Sequence, residues 1–516
     1  RALAALPPTY RQLPPPVAKA FTEAAGRVAD RFLVNPDHQA ILEFLCLPKI
    51  GIAPAEQDKA SSRLARYPNV ALPRVPTSST FRQGTNRSPE KQVELGRLSS
   101  AARILENNGL APSRTPETID NLRAKHPIGP RNPFGRTDGP ATGSPPTIEA
   151  IEEALRSFKP DTAPGVSGWT VPLLKLAMRS NSVKKMMTGL VGLVLTGKAP
   201  GQQLLSASRL IALEKPDGGL RPIAIGELVY RLCTKTILRH TFKPDFLSAG
   251  QFGVGTKGGV EPLIRAVQRA VDGTIENEQY THITSLDFSN AFNTLDRGLM
   301  ASSIKRNAPG LYRMAKWAYD APSHLVLETS GGSTLLKSAQ GVRQGDPLGP
   351  LFFSIGVRPI LEDLCNSLGP DCVLLAYLDD VYILSKSEDT LEHVLNFFER
   401  PNNSLKLNEE KSYTTSVTEI KMRGLKILGS HVGPSWSRRE FLLGKVAKLE
   451  EKLERLVGLP NQHALLLLRL CMQQDLRHLQ RCLDPDGLFD EWERVDQAIW
   501  KAALRIRGSM DQPEPS

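Results

Sequence analysis

The segment CVLLAYLDDVYIL, from Cys372 to Leu384, most constrains the fold, because it places two adjacent carboxylates inside an otherwise apolar run. The pattern predicts a hairpin whose tight turn carries Asp379 and Asp380. Two like charges in an apolar setting repel each other and lose hydration, so they need a compensating partner. A nearby Lys or Arg, solvent at the turn, or a metal ion would serve. Aspartate pairs at hairpin turns are usually just solvated, so this segment alone does not decide.

A second acidic strand precedes the first. The segment QYTHITSLDFSNAFNTLD predicts a strand from Gln279 to Phe288 with Asp287 at its end, and a helix that begins after Ser289 or Asn290. Pairing the two acidic strands in one sheet would bring their carboxylates together. Converging carboxylates form a hard oxygen site for magnesium. Two such ions about 3.5–4 Å apart activate an attacking hydroxyl and stabilise the leaving oxygen of a phosphoryl displacement.

Two cations flank a turn in LIALEKPDGGLRPIAIGE, which reads as a strand, a turn at PDGG and a second strand. Lys215 and Arg221 could both reach over a triphosphate, since Arg supplies forked donors and Lys a compact charge. An exposed hairpin with ordinary surface cations is the alternative interpretation.

A Gly/Pro-rich loop runs into a predicted helix in GVRQGDPLGPLFFSIGVRPILEDL. Gly345 would let the backbone approach a ligand closely. Arg343 and Gln344 are candidates to contact the incoming nucleotide or the template. Further along, SLKLNEEKSYTT places Lys411 shortly after a strand-like LKL, where it could protonate departing pyrophosphate. An ordinary surface lysine is the alternative there.

The composition indicates the class of partner. The net charge of +11 and the pI near 9.3 suit a polyanion such as nucleic acid. Six scattered cysteines without a C-x-x-C pair indicate neither a disulfide framework nor a zinc knuckle, which favours a reducing, intracellular compartment. No uncharged apolar stretch is long enough to span a bilayer, so no membrane partner is expected. The chain begins with Arg1 rather than Met, so we expect it to be part of a longer protein.

Three regions are predicted from the pattern along the chain. Residues 1–146 form a helical and basic extension that ends in the Pro/Gly-rich connector His126–Pro146. Residues 147–435 mix helix-like and strand-like segments. Residues 436–516 are helical, beginning with a clear amphipathic helix. The basic segment Arg82–Arg87 is predicted to bind RNA template or target DNA, with a disordered linker as the alternative.

The order and spacing of the motifs resemble the reverse transcriptases of non-LTR (LINE-type) retrotransposons. In chain order, the segments that carry the resemblance are KPDGGLRPIAIGE (fingers motif), QFGVGTKGGVEPLI (an extra block of this family), LDFSNAFN (motif A), RQGDPLGPLFF (motif B), YLDD (motif C), LKLNEEKS (motif D) and GLKILG (motif E, the primer grip). Seven motifs in this order are specific, whereas any one of them would not be.

The resemblance implies an α+β right-hand polymerase. Fingers and palm would occupy residues 147–435, with an antiparallel palm sheet, and residues 436–516 would form a helical thumb. The implied activity is RNA-directed DNA polymerase, copying retrotransposon RNA by two-metal phosphoryl transfer, with priming at the DNA target. The implied cofactor is two Mg2+ ions, with Mn2+ as a possible substitute.

The resemblance also assigns roles to the acidic residues. Asp287 and Asp379 would be metal ligands, and the main-chain carbonyl of Phe288 would also contact metal. Asp380 would sit beside the primer terminus and the metals. Lys411 would act as the general acid.

Nucleotide selection and primer binding are implied for other residues. Phe292 would lie under the sugar, where its ring would clash with a 2′-hydroxyl and so favour dNTPs. The primer grip would include Gly424, Leu428 and Gly429.

Two other functions stay open at this point. An RNA-dependent RNA polymerase is disfavoured by Phe292 and by YLDD in place of the usual Gly-Asp-Asp. A non-catalytic RNA-binding scaffold derived from such an enzyme is disfavoured because the candidate carboxylates and phosphate-binding cations are all present. The expected partners are an RNA template, a DNA primer or target and dNTPs. Endonuclease activity is expected from a missing region or a separate protein, and the resemblance implies a nuclear location.

Overall fold

The computed structural model describes residues 13–52, 60–69, 88–94, 96, 98–105, 115–136, 139–140, 142–215, 218–275, 280–329, 332–400 and 404–508. The basic segment Arg82–Arg87 lies outside these ranges. Within them, no helix has both the length and the apolar character needed to cross a membrane.

Helices dominate the first third of the described chain. They are α1 (Pro15–Val34), α2 (His38–Gly51), α3 (Ala60–Arg66), α4 (Pro89–Glu94), α5 (Leu98–Leu105), α6 (Pro116–Ala124), α7 (Ile148–Arg156), α8 (Val171–Ala177), α9 (Asn181–Leu195) and α10 (Gln202–Leu205). The apolar residues of α1 and α2 lie in one core with those of α8 and α9. Within that core the Trp169 indole stacks on Phe44, with ring centroids 4.8 Å apart, and donates to the Phe44 carbonyl at 2.9 Å.

The middle of the chain alternates strands and helices. Its elements are β1 (Ser208–Glu214), β2 (Leu220–Gly226), α11 (Leu228–Thr241), α12 (Val260–Asp272), β3 (His282–Leu286), α13 (Ala291–Thr294), α14 (Arg297–Asn307), α15 (Tyr312–Tyr319), β4 (Ser323–Thr329), β5 (Gly332–Ser338), α16 (Gly349–Leu368), β6 (Val373–Tyr377), β7 (Asp380–Ser385), α17 (Thr390–Phe398), β8 (Tyr413–Ser416), α18 (Val417–Arg423), β9 (Leu425–Ile427) and β10 (Ser430–Val432). The mixture of helices with largely separate sheets is the α+β class expected from the sequence.

The palm sheet has the strand order β6-β7-β3-β8, and all of its neighbours are antiparallel. The predicted YLDD hairpin is confirmed as β6–β7, and the predicted pairing of the two acidic strands is confirmed as β3–β7. Strand β3 begins at His282, later than predicted, while Gln279 lies outside the described residues. The antiparallel palm sheet expected from the resemblance is therefore present.

A second four-stranded sheet carries the PDGG turn. Its order is β2-β1-β4-β5, with β1 and β4 parallel and the other pairs antiparallel. The pair Glu214 and Leu220 closes the hairpin beside the turn. The two predicted strands are thus confirmed as a hairpin, with Lys215 directly after β1 and Arg221 in β2, while Pro216 and Asp217 of the turn lie outside the described residues.

The last part of the described chain is helical. It consists of α19 (Ser435–Val457), α20 (Asn461–Leu470), α21 (Arg477–Cys482) and α22 (Phe489–Arg507). The predicted amphipathic helix is confirmed as α19, whose apolar face is buried and consists of Leu442, Val446, Leu449, Leu453 and Leu456. Helix α5 packs in the same core, where Arg455 of α19 donates to the Leu105 carbonyl at 2.7 Å.

The Pro/Gly-rich connector lies against α15. The Phe134 amide donates to the Asp320 carboxylate at 3.1 Å, and the Tyr312 hydroxyl donates to the Phe134 carbonyl at 2.6 Å. Lys316 donates to the Gly135 carbonyl at 2.7 Å. The connector is therefore held to α15 and the residue after it by several polar contacts, and the domain boundaries at 146 and 435 stay predictions.

Candidate active site

The aspartate pair lies at the turn of the β6–β7 hairpin. Tyr377 pairs with Asp380, so Leu378 and Asp379 form a two-residue connection. Leu378 adopts a φ of +61°, a region that leucine rarely enters. This strained turn needs support from its surroundings.

Asp287 follows β3 on the neighbouring strand. Leu286 lies opposite Val381 in the antiparallel β3–β7 ladder. Asp287, one residue further along the chain from β3, therefore lies beside Asp380, the residue before Val381. The Asp287 amide donates to the Ser412 hydroxyl at 3.1 Å. The Asn408 side chain donates to Asp287 Oδ2 at 2.9 Å, and its main-chain amide donates to the Asp287 carbonyl at 2.8 Å. Asp287 is therefore held by motif D.

The electrostatics show that motifs A and C share one cleft with the fingers cations. Burial raises the pKa of Asp379, and Asp287 raises it further, while Arg221 and Lys215 oppose the shift. Burial, then Asp379 and Asp287, raise the pKa of Asp380 to about 6, against a smaller opposing effect of Arg221. The structure thus brings together five of the predicted site residues.

The carboxylates of this cleft are possible ligands of a divalent metal. The ranges that the structure describes contain no group of three or more His, Cys, Asp or Glu side chains arranged to hold an ion. Magnesium, however, is usually bound by one or two carboxylates together with substrate phosphates and water rather than by an all-protein cage. Carboxylates whose pKa values are raised by burial and mutual repulsion are those that a cation stabilises. The residues at this cleft therefore fit a divalent metal shared with a nucleotide.

The motif B loop is bonded to strand β2. The Ala224 amide donates to the Gln344 carbonyl at 2.7 Å. Gly345 has a φ of +109°, and a Cβ there would lie 2.6 Å from the Ala224 carbonyl oxygen. The close approach to the β2 backbone accounts for a glycine at this position, and the approach of a ligand to Gly345 stays a prediction. Gln344 is half-buried, and its side-chain role stays a prediction.

The prediction that Arg343 contacts a nucleotide or template is wrong. Its side chain is 1% exposed and forms an ion pair with Asp346, whose side chain is 2% exposed. The guanidinium also donates to the Tyr230 hydroxyl at 2.9 Å and to the Ser323 hydroxyl at 2.5 Å. Tyr230 and Tyr319 each donate to Asp346 Oδ2 at 2.8 Å. This network anchors the motif B loop inside the protein.

Phe292 belongs to motif A, and its ring contacts motif B. Its ring is half-buried and stacks on Phe353, with centroids 4.4 Å apart and planes 6° apart. Its carbonyl accepts from the Val342 amide at 2.6 Å. The ring is therefore held rigidly, and its role as a steric gate stays a prediction.

Motif D places Lys411 near the carboxylates. Lys411 is exposed at the end of a 3-10 turn, and its amide donates to the carbonyl of Asn408, which bonds Asp287. The side chain of Phe288 is buried against Phe398, with ring centroids 5.1 Å apart, and its backbone forms a bridge with Leu407. The general-acid and carbonyl-ligand roles stay predictions.

The residues predicted to form the primer grip lie at the β9–β10 hairpin, with Gly424 directly before β9 and Leu428 and Gly429 at the turn. Gly424, Leu428 and Gly429 all have positive φ, at 78°, 43° and 78°. A backbone hydrogen bond joins Leu428 to Tyr382 of β7. Burial is the main reason that the pKa of Tyr382 is raised. The hairpin is thus attached to the strand that follows the aspartate pair.

Sequence reasoning missed three residues that hold the carboxylate-bearing backbone. Asn408 and Ser412 bond Asp287, as described above. Gln251 accepts hydrogen bonds from the amides of Leu378 and Gly253, both at 2.9 Å. All three lie inside the motifs LKLNEEKS and QFGVGTKGGVEPLI, and that membership was the available signal.

Comparisons with known proteins agree with this geometry. Residues 213–432 match the family described as reverse transcriptase (RNA-dependent DNA polymerase). The retrotransposable element SLACS 132 kDa protein of Trypanosoma brucei gambiense is 26% identical over 323 residues, covering 61% of this chain and 25% of that protein. The RNA-directed DNA polymerase from mobile element jockey of Drosophila funebris is 27% identical, covering 49% of this chain and 30% of that protein. The retrovirus-related Pol polyprotein from type-1 retrotransposable element R2 of Popillia japonica is 25% identical, covering 54% and 40%.

The chain therefore spans well under half the length of these curated relatives. Among solved structures, telomerase from Candida albicans with a fragment of telomeric RNA aligns at 11% identity and a TM-score of 0.35, covering 59% of this chain and 61% of that chain. Apo telomerase from Candida tropicalis, truncated from the C-terminal domain, aligns at 14% identity and a TM-score of 0.34, covering 44% and 53%.

Proposed function

We propose that this chain copies retrotransposon RNA into DNA, because residues 213–432 match the reverse transcriptase family and the similar curated proteins come from retrotransposable and mobile elements. The observation that carries the proposal is the meeting of Asp287 with the Asp379–Asp380 turn. Lys215 and Arg221 act on the same carboxylates. Carboxylates beside phosphate-binding cations are what a nucleotidyl transfer site requires.

Each side chain has a task in the transfer. Asp287 and Asp379 hold the metals, and Asp380 lies beside the primer terminus. When bound, two Mg2+ ions, or Mn2+ in their place, supply the positive charge that activates the primer hydroxyl and stabilises the leaving phosphate oxygen. Arg221 and Lys215 bind the triphosphate oxygens from the fingers hairpin.

Two further residues act on the nucleotide. Phe292, fixed by its stack on Phe353, excludes a 2′-hydroxyl and thereby selects dNTPs. Lys411 donates a proton to departing pyrophosphate from the turn next to Asn408.

The proposed partners are an RNA template, a DNA primer and dNTPs, and the net charge of +11 supports a polyanion partner. The primer is proposed to be a nicked DNA target in the nucleus. The nick would come from a region outside this chain or from a separate protein.

Primer extension on an RNA template with Mg2+ tests the proposal, comparing dNTPs with rNTPs. Asp379→Ala removes one carboxylate of the cleft and should abolish extension. Asp371→Ala is the matched control, because Asp371 precedes the same hairpin and pairs with Lys386 at the surface, 2.6 Å away. The control should extend primers like the wild type.

The other outcomes identify other functions. Extension with rNTPs alone would make the chain an RNA-dependent RNA polymerase. No extension, together with tight and salt-sensitive RNA binding, would make it a non-catalytic scaffold. Equal extension by Asp379→Ala and the wild type would refute the assignment of the metal site.

A further inference from the structure

The segment Gly250–Gly253 begins the QFGVGTKGGVEPLI block, whose task is not explained by the nucleotidyl transfer site. We propose that this segment braces the catalytic turn, and that Gln251 is a positioning residue that holds Leu378, and through it Asp379, by its side-chain oxygen. The inference rests on the proposed function, because it concerns the geometry of the same carboxylates.

The segment pairs with the outer edge of the palm sheet. Strand β6 is an edge strand of that sheet. The Ala376 amide donates to the Gly250 carbonyl at 2.8 Å, and the Phe252 amide donates to the Ala376 carbonyl at 2.7 Å. Gln251 and Ala376 form a parallel bridge. Two backbone bonds therefore fix the segment just before the turn begins.

The Gln251 side chain continues this support into the turn. It is 5% exposed, and its Oε1 accepts from the Leu378 and Gly253 amides, both at 2.9 Å. Because both partners are donors, the oxygen and not the nitrogen must face the turn. The bond engages the amide of the one turn residue whose φ is positive, which stabilises a conformation that leucine otherwise avoids.

The glycines on either side show how closely the segment fits. A Cβ on Gly250 would lie 2.3 Å from the Leu374 carbonyl oxygen, and a Cβ on Gly253 would lie 2.6 Å from the Leu378 nitrogen. Both contacts are with backbone atoms, which cannot move aside as a flexible side chain can. A displacement of the segment would therefore also displace the backbone that carries Asp379.

A space-filling role alone does not explain a glutamine at this position. The buried Gln251 Nε2 has no hydrogen-bond partner among the residues that the structure describes. An unpaired buried amide nitrogen is unfavourable, and a methionine of similar shape would fill the same space without that disadvantage. The two hydrogen bonds to Oε1 offset this unfavourable burial, and one of them holds the Leu378 amide in the turn.

Gln251→Met tests the inference, because it keeps the shape and removes the acceptor. Gln268→Met is the matched control, since Gln268 lies on α12 in the residues after the same block and bonds Asp272 at the surface. Hydrogen–deuterium exchange without metal or nucleotide reports on the turn directly. We expect peptides that contain Leu378 to exchange roughly fivefold faster in Gln251→Met, as for the loss of one hydrogen bond, and no change in the control.

Steady-state primer extension supplies the second measurement. In Gln251→Met, kcat should fall roughly 10- to 100-fold, as for residues that orient metal ligands, while the KM for dNTP changes little. Gln251→Glu keeps an acceptor oxygen, so the exchange of the Leu378 peptide should return to the wild-type rate.

The outcomes separate the two proposals. Wild-type exchange at Leu378 with wild-type kcat in Gln251→Met would overturn the brace. Faster exchange throughout the palm, rather than at the turn, would also overturn it, because that result describes a general loss of packing. If the wild type fails to extend primers, the proposed function fails, while the exchange experiment still decides whether Gln251 holds the turn.

Discussion

Replacing Asp346 with Asn should leave the Arg343 guanidinium buried without its counter-charge. The two side chains are 2% and 1% exposed, so water cannot replace the lost partner. The Tyr230 and Tyr319 hydroxyls, which now donate to Asp346, can still donate to an amide oxygen. The Leu348 amide, which donates to Asp346 Oδ1 at 2.9 Å, would then face the NH2 group of the asparagine. The variant therefore loses that hydrogen bond together with the charge that neutralises the buried guanidinium.

The size of the loss follows from that geometry. Breaking a buried ion pair by removing one partner costs about 3–5 kcal/mol, because the remaining charge is uncompensated. We expect this loss in the free energy of unfolding for Asp346→Asn and for Arg343→Met. The double variant contains neither charge, so it should lose less than the sum of the singles by about 2–3 kcal/mol.

Urea unfolding followed by circular dichroism measures all four members of this cycle. The exposed pair Lys184–Glu152, with 2.9 Å between Nζ and Oε1, provides the control. The control variants Lys184→Met and Glu152→Gln should each lose about 0.5 kcal/mol or less. Single losses at Arg343 and Asp346 that simply add, within about 0.5 kcal/mol, would refute the buried-pair reasoning.

Three further results are expected. Asn408→Ala removes the donor to Asp287 Oδ2 and should lower kcat about tenfold without changing the melting temperature; single-turnover extension would show this, and an unchanged rate would contradict it. Phe292→Val should raise the ratio of rNTP to dNTP incorporation roughly tenfold in competition assays, and a constant ratio would exclude the gate. In a chelating buffer, Asp380→Asn should melt at a higher temperature than the wild type above pH 6, with the difference disappearing as the pH falls through about 6 toward 4. Because the pKa of Asp380 is raised in the folded chain, the folded wild type binds a proton at a higher pH than the unfolded chain does. A difference in melting temperature that grows at low pH would contradict this reasoning.

Local pattern was enough to predict the carboxylates and their strands. The alternation around Asp379 and Asp380 predicts a hairpin, and a polar residue after an apolar run predicts a strand end at Asp287. These features depend on neighbours in sequence, so the structure confirms them with small shifts in the ends of the strands. The same holds for the amphipathic helix α19, whose apolar face is set by helical spacing.

The contacts that support the carboxylates could not be predicted in this way. Gln251 lies 127 positions from Leu378, and Asn408 lies 121 positions from Asp287. Arg343 was assigned to a ligand because Arg in a glycine-rich loop suits phosphate, yet its partners include Tyr230, which lies 113 positions away. Tertiary packing decides whether such a charge faces the cleft or the interior.

The stacking of Trp169 on Phe44 limits which segments such proteins can exchange by recombination. The indole donates to a carbonyl of the extension, and Arg455 donates to the Leu105 carbonyl at the other side of the molecule. A chimera that joined residues 147–516 to a different extension would lose both matches at once. Substitutions in the extension are therefore constrained by the residues that pack against it, and a junction at residue 146 would leave two mismatched cores.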